Sequence, residues 1–143
     1  MAVKQISVFL ENKKGNLAEF ANVLSNGNIN LRALSLADAG DFGLARMIVD
    51  DVYKASTALK EAKYISKVKE VLAIEISDEP GSLSKVLAEL GSNDVNVDYM
   101  YAFTNHTPGK ANMILRVSDN RKATEILSKT GVRQLTQDDL ANM

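Results

Sequence analysis

The sequence predicts an α+β protein of two βαββαβ units placed side by side, each an antiparallel sheet carrying its helices on one face. Three observations lead there. Alternating apolar runs switch to helical ones in the order strand, helix, strand, strand, helix, strand. That order is run through twice in 143 residues. A glycine stands at the first strand-to-helix junction of each copy, Gly15 and then Gly81, 66 positions later.

In the first copy Ile6, Val8 and Leu10 alternate with Gln5, Ser7 and Glu11, the period of a half-buried strand, although Phe9 sets an aromatic ring on the polar face. After Gly15, Leu17, Phe20, Ala21 and Leu24 recur at helical spacing and form one stripe toward a core. Asn26-Gly27-Asn28 ends that helix through residues that accept left-handed backbone. Ile29 to Leu36 reads as extended and apolar on both faces, Leu31 and Ala33 on one, Leu34 and Leu36 on the other, so a cover is expected over each. Asp38 to Gly43 reads as a turn and Leu44 to Val49 as the returning strand of a hairpin. Ala55, Ala58, Leu59 and Ala62 restore the helical period, and Tyr64 to Lys69 closes the unit as a polar strand.

The second copy repeats these positions. Leu72, Ile74 and Ile76 answer Ile6, Val8 and Leu10, while Leu83, Val86 and Leu90 answer Leu17, Phe20 and Leu24. Ala111, Met113 and Ile114 align with Ala45, Met47 and Ile48 without a gap, and two extra residues after them bring Lys122-Ala123 and Leu127 against Lys54-Ala55 and Leu59. Val132 to Leu135 is the expected last strand, and Thr136 to Met143 a frayed tail or short terminal turn. No Gly-, Pro- or Ser-rich linker intervenes near Val68 to Val71, so the units divide as 1–69 and 70–143.

Composition narrows the function classes. At 45% apolar and 24% charged, the chain reads as a soluble globular protein. A net charge of −1 with dispersed Lys and Arg lacks the basic stripe of a nucleic-acid binder. The absence of cysteine removes disulfides, thiolate nucleophiles and cysteine-held metals. No signal-peptide core precedes the first strand, and no run approaches the ~18 apolar residues of a membrane span, so a cytoplasmic location is expected. The single histidine, His106, falls in a hairpin loop and reads as solvated; no Gly-x-Ser-x-Gly or phosphate loop accompanies it, so neither enzyme, cofactor nor metal site is expected. Tyr99, Tyr101 and Phe103 lack interleaved basic residues and read as sheet packing, with Met47 and Met113 in the core.

A βαββαβ unit with both helices on one face is the ferredoxin-like arrangement. Both halves further resemble ACT domains, the ligand-binding regulatory modules of several amino-acid-metabolising enzymes. The resemblance rests on Glu11-Asn12 followed by Gly15-Asn16-Leu17, on Asp78-Glu79-Pro80-Gly81-Ser82-Leu83, and on Ile29-Asn30-Leu31 and Val95-Asn96-Val97. It implies a stand-alone tandem-ACT protein that binds a free amino acid or similar small ligand between ACT units. By matching position it implies ligand contacts from Asn12, Gly15, Asn16 and Leu17, from Asp78, Gly81, Ser82 and Leu83, and from Asn30 and Asn96 at the strand starts; Lys14 joins them by its charge. A homodimer and a regulated metabolic enzyme are the implied partners. An assembly scaffold that binds no ligand is the alternative.

Chemistry supports a difference between the two turns. Backbone N–H groups at a helix start attract a carboxylate. Lys13, Lys14 and neutral Asn12 favour an anion at the first turn, whereas Asp78 and Glu79 oppose one at the second. The first turn is therefore expected to hold the ligand carboxylate, although Lys14 stands where the family has proline and leaves that backbone less pre-set. Gly15 and Gly81 read alternatively as plain turn glycines, and Asn30 and Asn96 as loop-ending residues.

Overall fold

The computed structural model describes residues 2–143. Contacts divide them into two units: Lys4–Lys69 with Leu140–Met143, and Glu70–Asp139 with the opening residues of the chain. The first, called N-terminal below, contains β1 (Val3–Glu11), α1 (Asn16–Asn26), β2 (Leu31–Ala39), β3 (Phe42–Val49), α2 (Val52–Glu61) and the first part of β4 (Ile65–Ser77). Its strands lie in the order β2-β3-β1-β4, and β3 pairs antiparallel with both neighbours. Phe20 and Leu24 of α1 and Ala55 and Leu59 of α2 close over Ile6, Val8, Leu10 and Met47, so both helices occupy one face.

The C-terminal unit contains the rest of β4, then α3 (Ser82–Ser92), β5 (Val97–Ala102), β6 (Lys110–Val117), α4 (Asn120–Lys129) and β7 (Arg133–Gln134). Its order is β7-β4-β6-β5, all antiparallel. Val86, Leu90, Ala123 and Leu127 cover Leu72, Ile74 and Leu115. Each unit is thus the ferredoxin-like α+β fold read from the sequence. Leu72, Ile74, Leu90 and Leu127 occupy the places of Ile6, Val8, Leu24 and Leu59.

Several local expectations are corrected. A bulge between Leu31 and Ala33 changes the side on which β2 presents its residues. Leu34 and Leu36 pair with Met47 and Ala45 on the helix side, while Ala33 pairs with Ile48 on the other, so Leu31 and Ala33 do not share a face. At the outer edge of that sheet Leu34 and Leu36 remain 36% and 50% exposed, not covered. The helix-free side is buried at Gln5, Ser7, Ala33 and Ile48. The same bulge recurs between Val97 and Tyr99.

The register also moves the two-residue insertion. Val8 pairs with Ala45, but its counterpart Ile74 pairs with Met113, so Ala45 corresponds to Met113 and not to Ala111. The extra residues therefore lie in the β5–β6 loop, before the returning strand. A shift of two preserves which face each side chain occupies, which is why the apolar pattern did not detect it. Two segments are more ordered than expected. Ile65–Ser77 is a single strand of 13 residues. The tail forms α5 (Gln137–Ala141), whose Leu140 is fully buried. Arg32 Nε and Nη2 donate to the carbonyls of Leu140 and Ala141 at 3.0 and 3.3 Å, satisfying the open end of α5.

Candidate functional site

α1 and α3 begin differently from α2 and α4. Asp51 and Asp119 cap the latter pair, each carboxylate accepting the N–H three residues on, from Lys54 and Lys122 at 3.0 Å. The former pair has no side-chain cap, and each is entered through a left-handed glycine, Gly15 at φ 86° and Gly81 at φ 89°. No atom lies within 4 Å of where a Cβ would stand at either glycine. Backbone conformation, not crowding, therefore demands glycine there. Each turn is closed by Asn16 N–H to Lys13 O or Ser82 N–H to Glu79 O, both 3.2 Å. Among the described residues the next amides, of Leu17 and Ala18 and of Leu83 and Ser84, have no protein acceptor. Such donors, at the positive end of a helix, suit an anion.

The side chains of the first turn are partly committed. Asn12 Nδ2 donates to Gly40 O at 3.1 Å and Asn12 N–H to Asp41 O at 2.8 Å, tying the turn to the β2–β3 hairpin. Asn16 Nδ2 donates to Glu11 O at 3.1 Å. Lys13 Nζ lies 2.9 Å from Glu11 Oε2; that hydrogen bond and charge hold the Lys13 pKa above its ordinary value. Of the two lysines read as favouring an anion, only Lys14 is left without an ion pair among the described residues. Leu17, expected in the core stripe, is 43% exposed. In the second turn Asp78 N–H donates to Gly109 O at 3.0 Å, repeating the hairpin tie.

Asn30 and Asn96 stand elsewhere. Asn30 N–H donates to Asp50 Oδ1 and Asn96 N–H to Ser118 Oγ, each at 3.0 Å. Asn30 lines a shallow cleft of ≈ 520 Å³ with Ser25, Asn28 and Asp50. That cleft lies by the C-terminal end of α1, a helix of 11 residues and so about 16 Å long, while the glycine turn is at its start. Neither unit by itself assembles its turn and its asparagine into one site.

Each unit does contain a cleft beside its turn, and the two clefts are equivalent. In the N-terminal unit a cleft of ≈ 460 Å³ lies between the end of β1, the first turns of α1 and the α2–β4 connection. Asn16 lines it, with Phe9, Glu19, Phe42, Lys63 and Tyr64 among the others. In the C-terminal unit a cleft of ≈ 880 Å³ is lined by Ser82 at the place of Asn16, and by Glu75, Lys85, Lys110, Gly131 and Val132 in the corresponding order. There Arg133 Nη1 reaches Glu75 Oε1 at 3.2 Å. Of these, only Asn16 and Ser82 are implied as ligand contacts by the sequence. Lys63 against Gly131 was the available signal, since a left-handed helix end normally takes glycine. His106 is exposed in its loop, Tyr99 and Tyr101 stack at 6.5 Å, and Met113 is only partly buried against the core.

A family model described as an ACT domain pair matches residues 1–143. Among solved structures the chain is similar to protein BT0572 from Bacteroides thetaiotaomicron, at 41% identity over 100% of this chain and 98% of that one, with a TM-score of 0.93. It shares its fold with the regulatory subunit of aspartate kinase from Thermus thermophilus in ligand-free form, at 14% identity and a TM-score of 0.63 over 88% and 90% of the two chains. The same holds for that subunit from Thermus flavus, at 13% identity, TM-score 0.62, over 90% and 92%. No curated protein sequence matches.

Proposed function

The chain belongs to the ACT domain family, as an ACT domain pair, and from that premise we propose that it is a non-catalytic regulatory protein that senses a free amino acid or similar small ligand. ACT modules 1–69 and 70–143 supply the turns, and the ligand carboxylate sits on the open amides after Gly15, with Lys14 beside it. One observation carries this reading. The chain caps α2 and α4 with aspartate yet leaves α1 and α3 uncapped behind left-handed glycines. The fold shared with aspartate kinase regulatory subunits supports a metabolic enzyme as partner; a second copy as assembly mate and the cytoplasm as location complete the proposal. No helix among the described residues is long and apolar enough to cross a membrane.

Thermal melts against the twenty amino acids test the reading. One or a few raise the midpoint, since ligand at 100 times its dissociation constant adds about 2.7 kcal/mol of stability. A flat response at millimolar concentration overturns it. Affinities in Gly15→Val and Gly81→Val then test the choice of turn: equal losses, or a loss only in Gly81→Val, reject the first turn as the carboxylate cradle. A flat response favours the second reading, an assembly scaffold, for which the exposed Leu36, Phe42, Ile65 and Val68 speak.

A further inference from the structure

The two equivalent clefts differ where chemistry is decided. Positions held by Phe9, Phe42 and Ile65 in the N-terminal unit are held by Glu75, Lys110 and Arg133 in the C-terminal one. The N-terminal cleft thus has an apolar wall, with Phe9 44% and Phe42 53% exposed. Opposite charges remain at its margin. Glu11 is taken by Lys13, but neither Glu19 nor Lys63 is in an ion pair among the described residues. Glu19 lies close enough to Tyr64 to help burial raise the phenol's pKa.

Lys63 is the more telling of the two. It ends α2 in the left-handed region at φ 66°, donating its N–H to Lys60 O at 3.0 Å while Tyr64 N–H bonds to Leu59 O at 3.0 Å. The C-terminal unit uses Gly131, φ 74°, for the same turn, and an added Cβ there would meet nothing within 4 Å. A side chain fits this place, but its backbone conformation is one that lysine adopts at a cost and glycine does not. Residues held in such sparsely populated backbone conformations cluster at ligand-binding sites.

We infer that the N-terminal cleft binds a free amino acid with an apolar side chain, its carboxylate on Lys63 Nζ, its ammonium on the Glu19 carboxylate and its side chain against Phe9 and Phe42. The inference rests on the amino-acid reading above but places a site within one unit, beside the open amides and separate from them. A volume of ≈ 460 Å³ accommodates one such molecule. The C-terminal cleft, with Lys85 for Glu19 and Gly131 for Lys63, lacks the carboxylate and the ammonium at those two places and has no apolar wall, and takes no such ligand.

Titration calorimetry on the full chain tests this with L-leucine, L-phenylalanine, L-aspartate and L-lysine, and with phenethylamine and 3-phenylpropionate, which each lack one charge. Leucine or phenylalanine binds tighter than aspartate and lysine, and tighter than either single-charge analogue by about tenfold. Lys63→Gly raises the thermal midpoint by about 3 °C while weakening binding about tenfold, a combination that a merely structural lysine would not produce. Glu19→Gln weakens binding without the stabilisation, and Phe42→Lys, the residue of the other copy, removes the apolar preference. Unchanged affinity in Lys63→Gly and Glu19→Gln overturns the cleft site; if Gly15→Val alone then abolishes binding, the turn reading stands without it. Tighter aspartate or lysine binding overturns the apolar preference, and binding of no amino acid overturns both proposals.

Discussion

The two units share a backbone plan and differ in what they wrap around it. Gly15 and Gly81 differ by 3° in φ, and the bulges of β2 and β5 fall at corresponding residues. Side chains at the same places diverge: the edge-to-face pair Phe20 and Tyr64, ring centroids 5.8 Å apart, becomes Val86 and Val132. The strand-to-helix glycines are therefore the same in both copies, although the left-handed place after α2 and α4 is Lys63 in one and Gly131 in the other. The clefts beside them were free to become one apolar and one charged.

Four experiments break or sharpen this comparison, beginning with the largest effect. Phe20→Ala empties a fully buried site and loses its ring contact, so it should cost about 3–5 kcal/mol in urea denaturation, against about 2 for Val86→Ala. Equal losses would mean that the units are packed alike despite their different residues. Next, Gly15→Ala and Gly81→Ala should each cost about 1–2 kcal/mol, the left-handed penalty without any clash. A much larger cost in one would show that its surroundings, not its dihedral, require glycine. Asp51→Ala and Asp119→Ala should then cost about 1 kcal/mol each, being equivalent caps.

The smallest effect concerns pH and the tail. Thr136 N–H donates to Asp139 Oδ2 at 2.7 Å and Asp139 N–H to Thr136 Oγ1 at 3.2 Å, a reciprocal cap on α5. The Thr136 N–H, then its hydroxyl, holds the Asp139 carboxyl below its usual pKa. A depressed folded-state pKa gives stability that is full above the unfolded value of about 3.9 and lost as pH falls through the folded value. The protection factors of the α5 amides, exchange rates corrected for their intrinsic pH dependence, should accordingly fall below about pH 4, and Asp139→Asn should remove that fall. Protection factors that stay constant with pH in the unmutated chain would discard the cap as a contributor.

Much of the fold was legible because periodicity reports the face on which a side chain lies. Ile6, Val8 and Leu10, and the stripe of Phe20 and Leu24, are core as read, as are Leu72, Ile74, Val86 and Leu90. Periodicity cannot report pairing. The two-residue insertion was misplaced because a slip of two leaves every side chain on its own face. The bulge at Arg32 was missed because nothing in Leu31 to Ala33 marks a change of side. The burial of the tail is not legible in the sequence because its anchor, Arg32 on the carbonyls of Leu140 and Ala141, joins residues 108 and 109 positions apart.

For function, the sequence alone determined where the device sits: a glycine between a strand and a helix, twice, permits a left-handed entry to each helix. Only the tertiary structure decided which donors stay open. Local composition made Lys13 and Asn12 look available, whereas an ion pair with Glu11 and a bond to Gly40 O, contacts fixed by turn geometry and hairpin register, occupy them. The structure likewise drew Phe9, Glu19, Phe42 and Lys63 together from three elements and one connection, a convergence that no spacing along the chain encodes.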